Sequence, residues 1–273
     1  MFGNILDRVG ETGPLVHNIT NYVTVNDVAN AILAIGASPV MADDPRDAVE
    51  ITAICGGINL NIGTLNKRSI KAMHRAGMRA SELGHVVLLD PVGAGASAIR
   101  TETAVSLLEK LHLTAVRGNM SEVKTLASGS GTTKGVDADV ADAVTDENLE
   151  TSVEFAKNFA REHKTLLAVT GAIDLVTDGD KCFVIRNGRA EMGRVAGTGC
   201  QLSGIATAFL IANPDNRLEA LAAAVATMGI AGEIGWSRQL EGDGNATFAK
   251  RIIDALYHLD GATLDRMTRC EER

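Results

Sequence analysis

The chain has 273 residues, enough for one large core or two small domains, and its 45% hydrophobic and 22% charged content is that of an ordinary soluble globular protein. A formal net charge of −8 removes the electrostatic basis for binding nucleic acid or an anionic membrane, and no window carries the roughly 18 uninterrupted apolar residues of a membrane span. Only 3% of residues are aromatic, so the core must be aliphatic, and 28 glycines against 5 prolines suit tight strand-to-helix turns.

In chain order, residues 1–7 lack the basic-then-apolar order of a signal peptide. Pro14–Ile19 reads as a short strand, and Tyr22–Ile35 carries a helical apolar stripe that ends at Gly36. Ser38–Ala42 is a second strand, Arg46–Cys55 a helix, Ile58–Ile62 a strand and Leu65–Leu83 an amphipathic helix. The nearly continuous apolar run His85–Val92 predicts a strand buried on both faces. A helix at Ile99–Leu111 and a buried strand at Leu113–Val116 follow, then a helix to Leu126. Ala127–Asp146, rich in Gly, Ser, Thr and Asp, reads as a mobile surface loop. Next come a helix at Leu149–His163, a strand at Leu166–Thr170 and a hairpin pairing Ile173–Thr177 with Lys181–Arg186 across Asp178-Gly179-Asp180. Arg189–Arg194 is expected as an edge strand and Thr263–Cys270 as a last strand. Between them run three long helices, of which Leu218–Ile230 is apolar almost all round and should be buried. Strands alternate with helices and composition never breaks, which predicts one α/β domain over residues 1–273 with a mostly parallel central sheet.

Ligands of such sheets sit beyond the carboxyl ends of the strands. There this chain gathers Asp90-Pro91-Val92-Gly93-Ala94, Arg117-Gly118-Asn119-Met120-Ser121-Glu122 and Thr170-Gly171. The turn Gly197-Thr198-Gly199-Cys200 joins them and runs straight into the helix former Ile205–Ile211. A helix start offers about four unpaired N–H groups and a partial positive charge, and glycines let an anion approach the backbone. Cys200 at that mouth is expected to have a lowered thiol pKa. Asp90 and Glu122 can hold Mg2+ through water, and Arg117 suits a phosphate. Each residue also has a purely structural reading: Asp90 as a turn former, Glu122 as a complement to a helix dipole, Arg117 as a surface ion pair. Met41 can likewise be a gap-filler, His17 a satisfied strand histidine and Cys200 a small core residue. Cys55, Cys182, Cys200 and Cys270 have no C-x-x-C or metal spacing, so reduced thiols and a cytoplasmic location are the simplest reading.

The segments His17-Asn18-Ile19-Thr20-Asn21, Ser38-Pro39-Val40-Met41-Ala42, Leu89–Ala94, Arg117–Glu122, Val169-Thr170-Gly171 and Gly197–Cys200 together resemble the hydroxyethylthiazole kinases of the ribokinase-like superfamily. The resemblance runs from about residue 14 to 210, and Cys rather than Asp at position 200 points to the thiazole branch. It implies a three-layer αβα sandwich and ATP- and Mg2+-dependent phosphorylation of 4-methyl-5-(2-hydroxyethyl)thiazole in thiamine biosynthesis or salvage. It further implies that Met41, Asn21 and Gly197 meet the thiazole alcohol and that Arg117, Thr170 and Asn119 bind ATP. Asp90 and Glu122 would organise Mg2+, and Gly197, Thr198, Gly199 and Cys200 would form the catalytic anion hole. Homotrimers with shared active sites are also implied. Two other readings stay open: a nicotinamide-nucleotide-hydrate dehydratase of similar scaffold, and a non-catalytic thiazole- or nucleotide-binding protein.

Overall fold

The hydrophobic alternation of the strands divides the molecule into two cores. In β4 (Val86–Asp90), Val86 and Leu88 point to one core while Val87 and Leu89 point to the other. All four are buried, each contributing about 1.5–3 kcal/mol by burial. A computed structural model describes residues 2–129 and 142–273. Its nine-stranded sheet has the order β2-β1-β3-β4-β5-β6-β7-β8-β9. Beside β4 lie β1 (Leu15–Ile19), β2 (Ser38–Met41), β3 (Gly57–Asn61), β5 (Ala115–Gly118) and β6 (Leu166–Val169), all parallel. The last three, β7 (Asp174–Thr177), β8 (Cys182–Ile185) and β9 (Cys270–Glu272), run antiparallel to their neighbours. Pro39, which cannot donate to a ladder, sits in the edge strand β2, where its missing N–H costs least.

One face is covered by α1 (Gly3–Thr12), α2 (Val25–Ala34), α8 (Thr198–Ala212), α9 (Arg217–Ser237), α10 (Asn245–His258) and α11 (Gly261–Met267). The other carries α3 (Asp47–Ile54), α4 (Lys67–Leu83), α5 (Ala98–Lys110), α6 (Met120–Ser128) and α7 (Leu149–His163). The result is the expected αβα sandwich. Helix α9 is long and apolar enough by composition to cross a membrane, but 83% of its most apolar window is packed inside the fold, as its all-round hydrophobicity predicts. Helix α8 packs on β1, β3 and β4 and against α2.

Two expectations are corrected. Arg189–Arg194 is not a strand: Ala190–Arg194 forms a 3-10 turn. Both sides of β8 are already paired, with β7 and β9, and the chain leaves the sheet at Gly188 (φ +117), whose N–H donates to Glu233 Oε1 of α9 at 2.8 Å. Nor is Thr263–Cys270 one strand. Asp260 caps α11 by accepting the Thr263 N–H at 2.7 Å, and pairing with β8 begins only at Cys270. Helix α1, to which the pattern had assigned nothing, buries Ile5, Leu6 and Val9 on one face. Of the loop expected at 127–146, residues 130–141 lie outside the described residues. Ala127 and Ser128 close α6, and Asp146 opens a short 3-10 turn.

Candidate active site

The parallel strands aim their carboxyl ends at one edge, and polar residues stand there in succession: Asn21 just after β1, Asn61 ending β3, Asp90 ending β4, Asn119 after β5 and Thr170 after β6. Helix α8 starts over the same edge. Its first turn is possible only because of two glycines. Gly197 holds φ +80, and a Cβ there would lie 2.2 Å from Thr24 Cγ2. A Cβ on Gly199 would lie 2.5 Å from Arg117 Nη1, so the guanidinium rests directly against the helix mouth.

Asp90 is fully buried. Its Oδ2 accepts from Asn61 Nδ2 at 2.6 Å and from Ser203 Oγ at 2.8 Å, which ties α8 to β4. Its Oδ1 has no hydrogen-bond partner and faces Arg117 Nη1 at 3.7 Å. Burial pushes the Asp90 carboxyl up, and Arg117, Ser203 and Asn61 oppose that rise. Arg117 Nη2 donates to Thr170 Oγ1 at 2.6 Å, so one guanidinium spans the ends of β4 and β6.

Glu122 is the third residue of α6 and closes a capping box with Asn119. Oε2 accepts the Asn119 N–H and Oε1 the Gly93 N–H, each at 2.8 Å. The carboxylate therefore joins the loop after β4 to the start of α6. Burial, then the charge of Asp90, raise its pKa to about 7. Asn119 Oδ1 accepts the Glu122 N–H at 2.9 Å, and its NH2 has no partner among the described residues.

Cys200 is buried, and its Sγ accepts from Asn21 Nδ2 at 3.1 Å, while the same Asn21 amide group donates to Asn61 Oδ1 at 3.1 Å. The expected lowering of the thiol pKa is not found. Burial raises it and Asp90 raises it further, outweighing Arg117 and the hydrogen bonds from Asn61 and Thr24. The thiol is neutral at neutral pH.

Beside this network opens a cleft of about 530 Å³ lined by Arg117, Asn119, Thr170, Thr198 and Gly199, with Asp174 and Met228 on its walls. It unites the three expected nucleotide residues with the helix mouth. A profile of the Hydroxyethylthiazole kinase family matches residues 6–262. The chain belongs to that family. A hydroxyethylthiazole kinase of Clostridium acetobutylicum is 51% identical over 97% of each chain. The solved hydroxyethylthiazole kinase of Pyrococcus horikoshii OT3 is 34% identical, with a TM-score of 0.88 over 100% of this chain and 98% of its own. A ribokinase-like superfamily protein from Enterococcus faecalis, 13% identical with a TM-score of 0.62 over 93% of each chain, shares the fold.

Met41 is not among the residues that line this cleft of the family member. It ends the edge strand β2, half-buried, paired in register with Asn18. His17 is the satisfied strand histidine expected: Nε2 donates to the Ala42 carbonyl and Nδ1 bonds the Thr52 hydroxyl, each at 2.8 Å, which fixes the chain just after Met41. Sequence reasoning missed Asn61, Ser203, Thr24 and Asp174. Asn61 lies at a strand end and was within reach of the same rule. Asp174 begins β7, whose reversed direction brings a strand start to the edge where the others finish.

Proposed function

We propose that this chain transfers the γ-phosphoryl group of ATP to the hydroxyl of 4-methyl-5-(2-hydroxyethyl)thiazole, in thiamine biosynthesis or salvage. The observation that carries this reading is the cleft in which Arg117, Asn119 and Thr170 meet Thr198 and Gly199 at the start of α8. Family membership favours it over the dehydratase and binding-protein readings.

In the reaction the alcohol oxygen bonds to the γ-phosphorus, the bond to ADP breaks, and the hydroxyl proton leaves. Catalysis of such a transfer is mostly positioning and charge neutralisation. Arg117, fixed by Thr170 and Asp90, directs its charge at the nucleotide, with the free amide of Asn119 and Thr170 beside it. The N–H groups of Gly197–Cys200 form the anion hole at the transferring group. Asn21, Gly197 and Met41 contact the thiazole alcohol. The hydroxyl proton leaves late, when the oxygen is already bonding to phosphorus, and Cys200 can take it only through its minor thiolate form, because burial and Asp90 keep the sulfur mostly protonated.

Mg2+ fits the carboxylates present. Asp90 Oδ1 is buried and unpartnered, and Glu122 lies close enough for Asp90 to raise its pKa. Among the described residues no three His, Cys, Asp or Glu cluster, which suits an ion held mainly by water and phosphate. Asp90 and Glu122 would hold it, and it would neutralise phosphate charge.

The working unit is a single-domain chain in a homotrimer whose sites are shared. Met41 lies on an edge strand, and Tyr22 and Val23, 76% and 65% exposed, leave apolar surface just after β1. The four cysteines are free, in keeping with the cytoplasm. A coupled ADP-release assay tests the activity. Turnover with the thiazole alcohol and none with hydrated NADH is expected; ATP-dependent turnover of hydrated NADH alone overturns it.

A further inference from the structure

The strands that carry Asp90, Asn119 and Thr170 at one end begin at a second cleft. It has a volume of about 410 Å³ and lies among His85 before β4, His112 before β5, Lys164 before β6, and Arg217 at the start of α9, with Asp178 at its rim. The length of β4, about 17 Å at roughly 3.3 Å per residue, separates it from the active site.

Its electrostatics run against those of the whole chain. On a protein of net charge −8, two fixed cations and two imidazoles face one carboxylate. Asp178 Oδ1 accepts the N–H groups of Asp180 and Lys181, each at 2.9 Å, and its one negative charge leaves the lining with a net positive balance. Among the described residues, the side chains of His85, His112, Lys164 and Arg217 make no hydrogen bond or ion pair. His85 Nδ1 and Arg217 Nε are shielded from water and still unpartnered. Unmet buried polar atoms of this kind are uncommon in folded proteins.

The backbone supplies an independent observation. Helices α1, α4, α6 and α7 all end in a left-handed residue. Three use glycine, namely Gly13, Gly84 and Gly129, but α7 uses Lys164 at φ 51. It is the single non-glycine residue with positive φ among those described. A lysine is strained where glycine is at ease, and such strain concentrates at functional positions. Lys164 is also one of the residues lining the cleft.

We propose that this cleft is a second anion site, separate from the nucleotide cleft, that takes a small phosphate monoester. Its volume is that of a metabolite pocket, and its basic lining matches a phosphate head.

The test is calorimetric titration of the full chain with inorganic phosphate and with glycerol phosphate. Three variants are compared with wild type: Lys164→Asn with Arg217→Gln, Lys164→Gly, and Arg117→Ala. Wild type and Arg117→Ala should bind both probes, and the double variant should lose affinity at least about tenfold. Lys164→Gly keeps the test falsifiable if the double variant folds poorly. It relieves the left-handed strain, so its Tm should rise while phosphate binding weakens. Unchanged binding in the Lys164 variants, loss of binding in Arg117→Ala alone, or no binding to wild type at about 10 mM overturns the proposal. So does binding of inorganic phosphate without glycerol phosphate.

Discussion

Cys200 shows how one side chain answers to competing fields. The start of α8 favours a thiolate, but burial and Asp90 keep the thiol protonated. Its contribution to proton transfer should therefore be small within the usual range of about 10²–10⁴-fold. Cys200→Ala is expected to lower kcat by about 10²-fold, and Cys200→Asp to retain activity. The measurement is kcat of the Ala, Ser and Asp variants from about pH 6 to 9. An inactive Cys200→Asp enzyme that still binds ATP would sink the weak-base account. Glu122 has two jobs, a helix cap and a proposed ion partner. Glu122→Gln should leave the fold intact yet lower turnover strongly at limiting Mg2+. Activity within about twofold of wild type would leave it the cap alone.

At the scale of elements, the junction of α8 with the sheet is the most exacting part of the molecule. Gly199→Ala would drive a methyl into the Arg117 guanidinium and break the bridge from Asp90 to Thr170. We expect KM for ATP to rise about tenfold or more while KM for the alcohol changes less, and steady-state kinetics against each substrate decide it. A methyl on Gly10, on the exposed face of α1, meets nothing within 4 Å and serves as the control for substitution of a helical glycine. This junction was legible in the chain because glycine spacing, a following apolar run and strand-end position all coincide at residues 197–211. Ser203 was not, since one small polar residue inside an apolar helix carries no mark of the buried carboxylate it meets. Asp174 was hidden by direction: only the antiparallel turn of β7 brings it to the functional edge. The lowered thiol expected of Cys200 failed because sequence reveals a helix start but not how deeply it is buried.

Across the whole molecule, buried acid groups set the response to pH. Burial raises Asp174 to about 7, above the ordinary carboxyl value of 3.8, with the Gly171 N–H and Arg117 opposing the rise. The folded state thus holds its proton more tightly than the unfolded chain. That stabilisation is complete below about pH 4 and is lost as pH climbs through about 7. Asp174→Asn keeps an acceptor for the Gly171 N–H without the charge, so its Tm should gain on wild type between pH 5 and 8. A Tm difference that stays flat over that window removes Asp174 from the account. The placement of α8 also reaches beyond equilibrium. Strands β1, β3, β4, β5 and β6 leave the ribosome well before residues 198–237, yet those late residues cover one of their faces. Until α8 and α9 are synthesised, Val16, Val86, Leu88 and Ala115 have lost the layer that hides them from water. Until α8 and α9 emerge, part of that aliphatic face stays uncovered in the nascent chain, in the crowded setting where chaperones act.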